Sequence, residues 1–248
     1  MTVANFGVSG YSGVSALLML RRHIELRPKF IVYGFWEDHL NRNVRPCLES
    51  GTPFCIERTA VRFDREGKPS ILYPEDARNA LALAGKWFAG KDGGPLYGGI
   101  VEDVVVSALR LSRAFEETFA LGGSHAEKLR AATYVLSEMK ATADSIGARM
   151  IVVYMPVYFN EQIEPAPREL VTFSREHDIT FMSMTPKFRQ MKEAGIPIAI
   201  PGNGHMTEFA HRAVADEIIA AIDQIRMRAQ SKIAEPAQLP QSRGADGH

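Results

Sequence analysis

Phe30-Ile31-Val32-Tyr33-Gly34-Phe35 is an uncharged apolar run that follows the break at Pro28 and ends just ahead of the acidic pair Glu37-Asp38. A short run rich in β-branched and aromatic side chains suits a buried strand of a parallel sheet. Upstream, Leu17, Leu20 and Ile24 recur at helical spacing and predict a helix from about Val14 to Leu26. Before it, residues 2–8 (TVANFGV) read as another short buried strand that runs into a glycine-rich turn. Strand, helix and strand in succession make a βαβ unit.

The same alternation continues downstream. Met150-Ile-Val-Val-Tyr-Met155, stopped by Pro156, is the clearest buried strand in the chain, and Thr180 to Met184 is a weaker one. Ile198 to Ile200 leads into Pro201-Gly-Asn-Gly-His205. Three long helices are predicted around these segments. Val101, Val104, Val105, Ala108, Phe115 and Phe119 mark the first, and Leu129, Ala132, Leu136, Met139, Ala143 and Ile146 the second, which should end near Gly147. The last begins near Thr207, with Val214, Ile218, Ile222 and Ile225 on one face. This order predicts an α/β fold: a three-layer α/β/α sandwich with a flavodoxin-like, mostly parallel sheet. Residues 44–98 interrupt it as an insertion. There the alternation from Arg58, the turn Glu66-Gly67-Lys68-Pro69 and Ser70-Ile-Leu-Tyr73 predict a small β-hairpin, and Gly90 to Gly99 a glycine-rich loop. Residues 1–228 are expected to form a single domain. The Ala-, Gln-, Pro- and Ser-rich stretch at 229–248 is expected to be a disordered tail.

Bulk properties narrow the function. Apolar residues make up 46% and charged residues 23%, and 29 basic side chains balance 29 acidic ones, so no global field favours nucleic acid or an anionic membrane. No apolar run is long enough to span a bilayer, and the first residues carry no signal-peptide pattern, which makes the cytoplasm the default expectation. Cys47 and Cys55, the two cysteines, read as plain thiols rather than a disulfide framework, and no Cys/His group has zinc spacing.

In parallel sheets the working residues gather beyond the carboxyl ends of strands. Three segments meet that condition. His205, after a strand and before a helix, suits a general base, with Asn203 placed to orient its ring; equally, His205 and Thr207 could simply satisfy free helix N-terminal groups. Asn5-Phe-Gly7-Val-Ser9-Gly10-Tyr-Ser12-Gly13 is a strand-to-helix turn in which Gly10 could present its N–H to an oxyanion. Its glycines are spaced three apart and do not complete a dinucleotide-binding fingerprint, so a nucleotide- or flavin-binding role has little support. Gly34-Phe35-Trp36-Glu37-Asp38-His39-Leu40-Asn41-Arg42-Asn43, with its loop at Glu37–Asn43, offers Trp36 as an aromatic wall and the polar cluster Asp38, His39 and Arg42.

Together these three segments resemble sequence blocks of the SGNH (GDSL-like) hydrolases, in the family's order and at compatible intervals across most of residues 3–225. NFGVSGYS looks like the Asn-x-Gly-x-x-Gly block, which implies an oxyanion-hole role for Gly10. YGFWEDHLNRN resembles the Gly-x-Asn-Asp block that brings Asp38 into the site. GNGHMTEFAHRAVADEI resembles the Asp-Gly-His block, which implies His205 as base and places Asn203 where the family has its aspartate. The resemblance implies a serine ester hydrolase or acyl transferase that uses no metal or organic cofactor. Its substrate would be a small acyl ester, a lipid or an acetylated sugar.

Three departures accompany the likeness. The family's first block, Gly-Asp-Ser, does not occur ahead of Asn5, so an upstream start or a damaged gene is expected. Ser9, Ser12 and Ser15 lie near the turn, but capping is the expected role there. Trp36 or Glu37 stands in place of the third-block asparagine, and an ionised glutamate would repel an oxyanion. Asn203 lacks the carboxylate that stabilises an imidazolium; in the serine-protease triad the corresponding Asp-to-Asn change lowers turnover by about four orders of magnitude. The chain is therefore expected to be impaired or incomplete as a hydrolase, with a catalytically inactive ligand-binding or partner-dependent protein as the alternative.

Overall fold

The computed structural model describes residues 2–8, 10–45, 59–73, 124–157, 163–202 and 205–234. Cys47, Cys55, Ser9, Asn203, the helix predicted between Val101 and Phe119 and the loop at Gly90–Gly99 lie outside the described residues. The chain divides into two compact units, Met1–Pro186 and Lys187–His248.

In the first unit, strands β1 (Phe30–Trp36), β4 (Arg149–Met155) and β5 (Thr180–Ser183) form a parallel sheet in the order β1-β4-β5, with Phe30 opposite Arg149 and Ile151 opposite Thr180. The fold is thus mixed α/β, a parallel sheet flanked by helices. Between β1 and β4, β2 (Ala60–Phe63) and β3 (Pro69–Leu72) make the expected antiparallel hairpin, tied by Arg130, whose Nη2 donates to Gly67 O at 2.6 Å and whose guanidinium lies over the Phe63 ring.

Helix α1 (Gly13–Arg22) is N-capped by Ser12, whose Oγ accepts from the Ser15 N–H. Helix α2 (His39–Arg42) is a single turn that directly follows β1. Helix α3 (His125–Ser145) opens on a capping box, with Ser124 accepting from the Glu127 N–H while Glu127 accepts from the Ser124 N–H. Gly147, at φ +70°, follows its C-cap. Helix α4 is Arg168–Glu176.

Tyr33, Phe35, Met150, Val152 and Tyr154 alternate along β1 and β4 and share one sheet face. They join Val14 and Leu17 of α1, Leu129, Leu136 and Met139 of α3 and Leu170 of α4 in a single buried cluster. On the opposite face Ile151 and Val153 of β4 are also buried, as a central strand requires. β1 differs: its Val32 is 40% exposed and Gly34 is open. The Phe30–Phe35 run is therefore buried on one face, not on both.

Other expectations need correcting. Residues 2–8 form no strand and are exposed, with Val3 74% accessible; none of their backbone groups joins a ladder among the described residues. Apolar content alone cannot make a strand where no neighbouring edge supplies hydrogen bonds. The first helix stops at Arg22, and Ile24–Leu26 is a separate 3-10 turn.

The second unit contains most of α5 (Thr185–Glu193) and the whole of α6 (Glu208–Ala234), with Phe188, Met191, Ala210, Ala213 and Ile222 buried. Ile198–Ile200 contributes only an isolated antiparallel bridge, Ala199 to Met206. Helix α6 runs six residues past Arg228 to Ala234, into a stretch expected to be disordered; Ala, Gln and Lys there are good helix formers. No helix among the described residues is long and apolar enough to cross a membrane.

Candidate functional site

Two of the three segments meet beyond the carboxyl end of β1. The first is the turn ahead of α1. Its Tyr11 N–H donates to Val8 O at 3.2 Å, and Gly10 takes φ +80°, a left-handed conformation that suits glycine at the third position of such a turn. Gly13, the first residue of α1, then passes so close to the loop after β1 that an added Cβ would stand 2.6 Å from Tyr33 Oη and 2.8 Å from Asn43 Oδ1.

The second segment, Glu37–Asn43, is held from several sides. The Glu37 N–H donates to Met155 O, while its carboxylate accepts from the Val157 N–H at 2.9 Å, joining the ends of β1 and β4. Tyr154 hydrogen-bonds to the same carboxylate; burial first, and then the charge of Glu37, push the Tyr154 phenol well above its usual range. Asp38 is engaged within its own turn. It pairs with Arg42 and accepts from Asn41 Nδ2 at 3.3 Å, and the Arg42 guanidinium lies 4.9 Å from the Trp36 ring centre. Trp36 Nε1 is buried without a hydrogen-bond partner among the described residues.

His39 lies inside this loop. Its Nδ1 is 2.9 Å from Tyr33 Oη, its ring stacks on Tyr33, and Phe35 meets it edge-on. Burial, reinforced by the nearby Arg42 charge and opposed by Asp38, lowers its pKa to about 4, so the ring is neutral at pH 7. Burial also drives the Tyr33 phenol far above its ordinary value, which keeps it a hydrogen-bonding neutral group.

Asn43 completes the cluster. Its backbone is fully used: the N–H donates to His39 O and the carbonyl accepts from the Val61 N–H. Its side chain is completely buried, yet neither Oδ1 nor Nδ2 has a partner among the described residues. Ser12 and Ser15 serve the cap and a hydroxyl chain that reaches Thr59.

The third segment belongs to the second unit. His205 is exposed, and its carbonyl accepts from the Ile200 N–H at 2.7 Å. Thr207 caps α6, its Oγ1 accepting from the Ala210 N–H and donating to Pro197 O, which is the helix-terminal role the sequence had offered for it. Among the described residues no three His, Cys, Asp or Glu side chains gather as a metal site.

No family model, curated protein or solved structure matches this chain. The sequence singled out Gly10, Asp38, His39 and Arg42; Tyr33 and Asn43 lay within the same block but were given no role. Tyr33 had a signal: a tyrosine inside an otherwise aliphatic and phenylalanine strand needs a partner for its hydroxyl. Asn43 had none, because burial of one polar side chain in a polar stretch leaves no periodic trace.

Proposed function

We propose that this chain is an SGNH-type acyl-group-binding protein whose reaction, where it turns over, is hydrolysis or transfer of a small acyl ester. What carries the reading is the meeting of the Gly10–Gly13 turn with the Glu37–Asn43 loop beyond the carboxyl end of a parallel strand. Those are the two segments whose pairing the family resemblance implies. Gly10 N–H of the first unit is assigned to the acyl oxygen, and the role proposed for His205, on the strength of its Asp-Gly-His-like block alone, is proton transfer; the fold proposed is a flavodoxin-like α/β/α sandwich. Small esters, lipids and acetylated sugars are the substrate classes.

One observation favours the non-catalytic version. Where the family has an amide donor this chain has Trp36 or Glu37, and Glu37 presents a carboxylate that already accepts from Val157 and Tyr154. An acceptor there adds negative charge beside a developing oxyanion rather than stabilising it. Hydrolysis of 4-nitrophenyl acetate by purified chain tests the catalytic version. Turnover that falls at least about a hundredfold in His205→Ala is the expected result for a general base. Undiminished turnover removes His205 from the reaction. Acetyl-ligand binding without turnover leaves the binding version standing, and absence of both ends the proposal.

A further inference from the structure

Charge is balanced over the whole chain, 29 basic against 29 acidic side chains, but not over Arg21–Lys29. These nine residues (RRHIELRPK) hold four Arg or Lys and a single carboxylate, Glu25. They run from the end of α1 through the 3-10 turn to the amino end of β1, at the far end of that strand from the candidate site. Arg21 is neutralised by Glu138 of α3, and Arg149, whose N–H donates to Lys29 O, meets Asp178 at 3.4 Å. Glu25 lies 3.5 Å from His23. Arg22, Arg27 and Lys29 are exposed, and their side chains have no ion-pair partner among the described residues.

Two apolar side chains stand exposed in the same place. Leu26 is 54% exposed, and its N–H donates to His23 O at 3.2 Å. Phe6, 42% exposed, stacks on the His23 ring at 4.6 Å, which fastens the exposed stretch 2–8 to this turn. Arg27 takes φ +42°, a left-handed conformation unfavourable for any residue with a Cβ. Taken singly, some of this is ordinary: cations in a last helical turn suit the dipole, and a lone exposed leucine is common. Neither point covers Arg27 and Lys29, which lie beyond the helix, or two exposed apolar groups set among unneutralised cations.

We propose that this turn is a membrane-contact patch for an anionic lipid surface, with Arg22, Arg27 and Lys29 against the headgroups and Leu26 and Phe6 entering the acyl boundary. The complementarity is double. Negative headgroups attract the cations, and apolar side chains gain by leaving water for the boundary region. A polynucleotide would answer the cations but offer Leu26 nothing to be buried against. The attachment is weak and reversible, each cation being worth about fivefold in partitioning. It is independent of the acyl-binding reading.

Co-sedimentation of the full chain with vesicles is the test, using phosphatidylcholine alone and an equal mixture of phosphatidylserine and phosphatidylcholine. Partitioning onto the mixed vesicles should be at least about tenfold stronger, and should be largely lost at molar salt, where the screening length falls to about 3 Å. The combined Arg22→Gln, Arg27→Gln, Lys29→Gln variant should lose about a hundredfold, and Leu26→Ser about fivefold. All four side chains are exposed, so circular dichroism and melting should match wild type. If the combined variant melts lower, Arg22→Gln and Lys29→Gln singly, at about fivefold each, give the same readout. Partitioning onto neither vesicle type, equal partitioning onto both, or a combined variant that binds like wild type overturns the proposal. So does loss in the combined variant with none in Leu26→Ser, which describes a purely ionic surface. Capture of a labelled DNA duplex without vesicle binding assigns the cations to a polynucleotide and overturns it as well.

Discussion

The segment after β1 and the segment before α6 are both polar turns that lead into a helix, yet they are built differently. Glu37–Asn43 is knitted into its surroundings, with Glu37 bound to the end of β4, His39 bound to Tyr33 and Asn43 sealed from solvent. The described residues of Ile200–Thr207 are more open: Ile200 is 41% exposed, His205 is exposed, an added Cβ at Gly202 meets nothing within 4 Å among the described residues, and Thr207 caps α6. The second segment carries the more specific sequence motif; the first carries the preorganised polar geometry. Motif likeness and preorganisation are separate properties, and only the latter fixes a side chain against a ligand.

Substitutions can break that contrast, beginning with the largest expected effect. Phe35→Ala, at a side chain 1% exposed beneath the first segment, should lower unfolding free energy by ~3–5 kcal/mol in urea titration. Ile200→Ala in the open segment should change it by less than about 1 kcal/mol. Comparable losses would mean that the two segments are equally supported.

Acidity provides the next test. His39 has a folded pKa of about 4, below the unfolded value near 6.5. The unfolded chain therefore takes up a proton that the native ring refuses. Stability conferred by neutral His39 is fully present above about pH 6.5 and is lost as pH falls towards 4. Between those limits wild type should lose about 1–3 kcal/mol more than His39→Gln, measured by denaturant titration at pH 7, 5.5 and 4. Parallel pH curves for the two proteins would remove His39 from the buried cluster.

A smaller effect separates two glycines. Gly13→Ala should cost ~1–3 kcal/mol through overpacking against Tyr33 and Asn43. Gly202→Ala should cost about 1 kcal/mol through its left-handed backbone, since an added Cβ meets nothing within 4 Å among the described residues. Thr207→Ala should likewise cost ~1 kcal/mol, by removing a helix cap without touching a core; thermal melting measures all three substitutions.

What could be read in advance follows from how each signal arises. Met150–Met155 was legible because a central strand is buried on both faces, so every residue in it is apolar. The hairpin was legible through Gly67 and its turn neighbours, and α3 through its repeating apolar positions; the pair Ser124 and Glu127 would have placed its start as well. Residues 2–8 misled because strand composition is local while strand pairing is not. The end of α6 misled because an Ala- and Gln-rich composition is compatible with both helix and disorder. At the site, residue types were visible but contacts were not. Nothing in the string of letters tells that Tyr33 reaches His39 six positions on, or that Asn43 is enclosed while Asn41 hydrogen-bonds within the turn.

The near-touch between Gly13 and Asn43 also has a meaning for how this protein can change over generations. Two positions thirty residues apart border one small volume together with Tyr33, so changes at them are coupled. A methyl group at position 13 meets Asn43 and, more closely still, Tyr33 Oη, so a smaller residue at position 43 relieves only part of its crowding. Gly13→Ala combined with Asn43→Ala should therefore be less harmful than the sum of the two single changes, and descendants of this sequence should be found to alter the two positions together more often than apart.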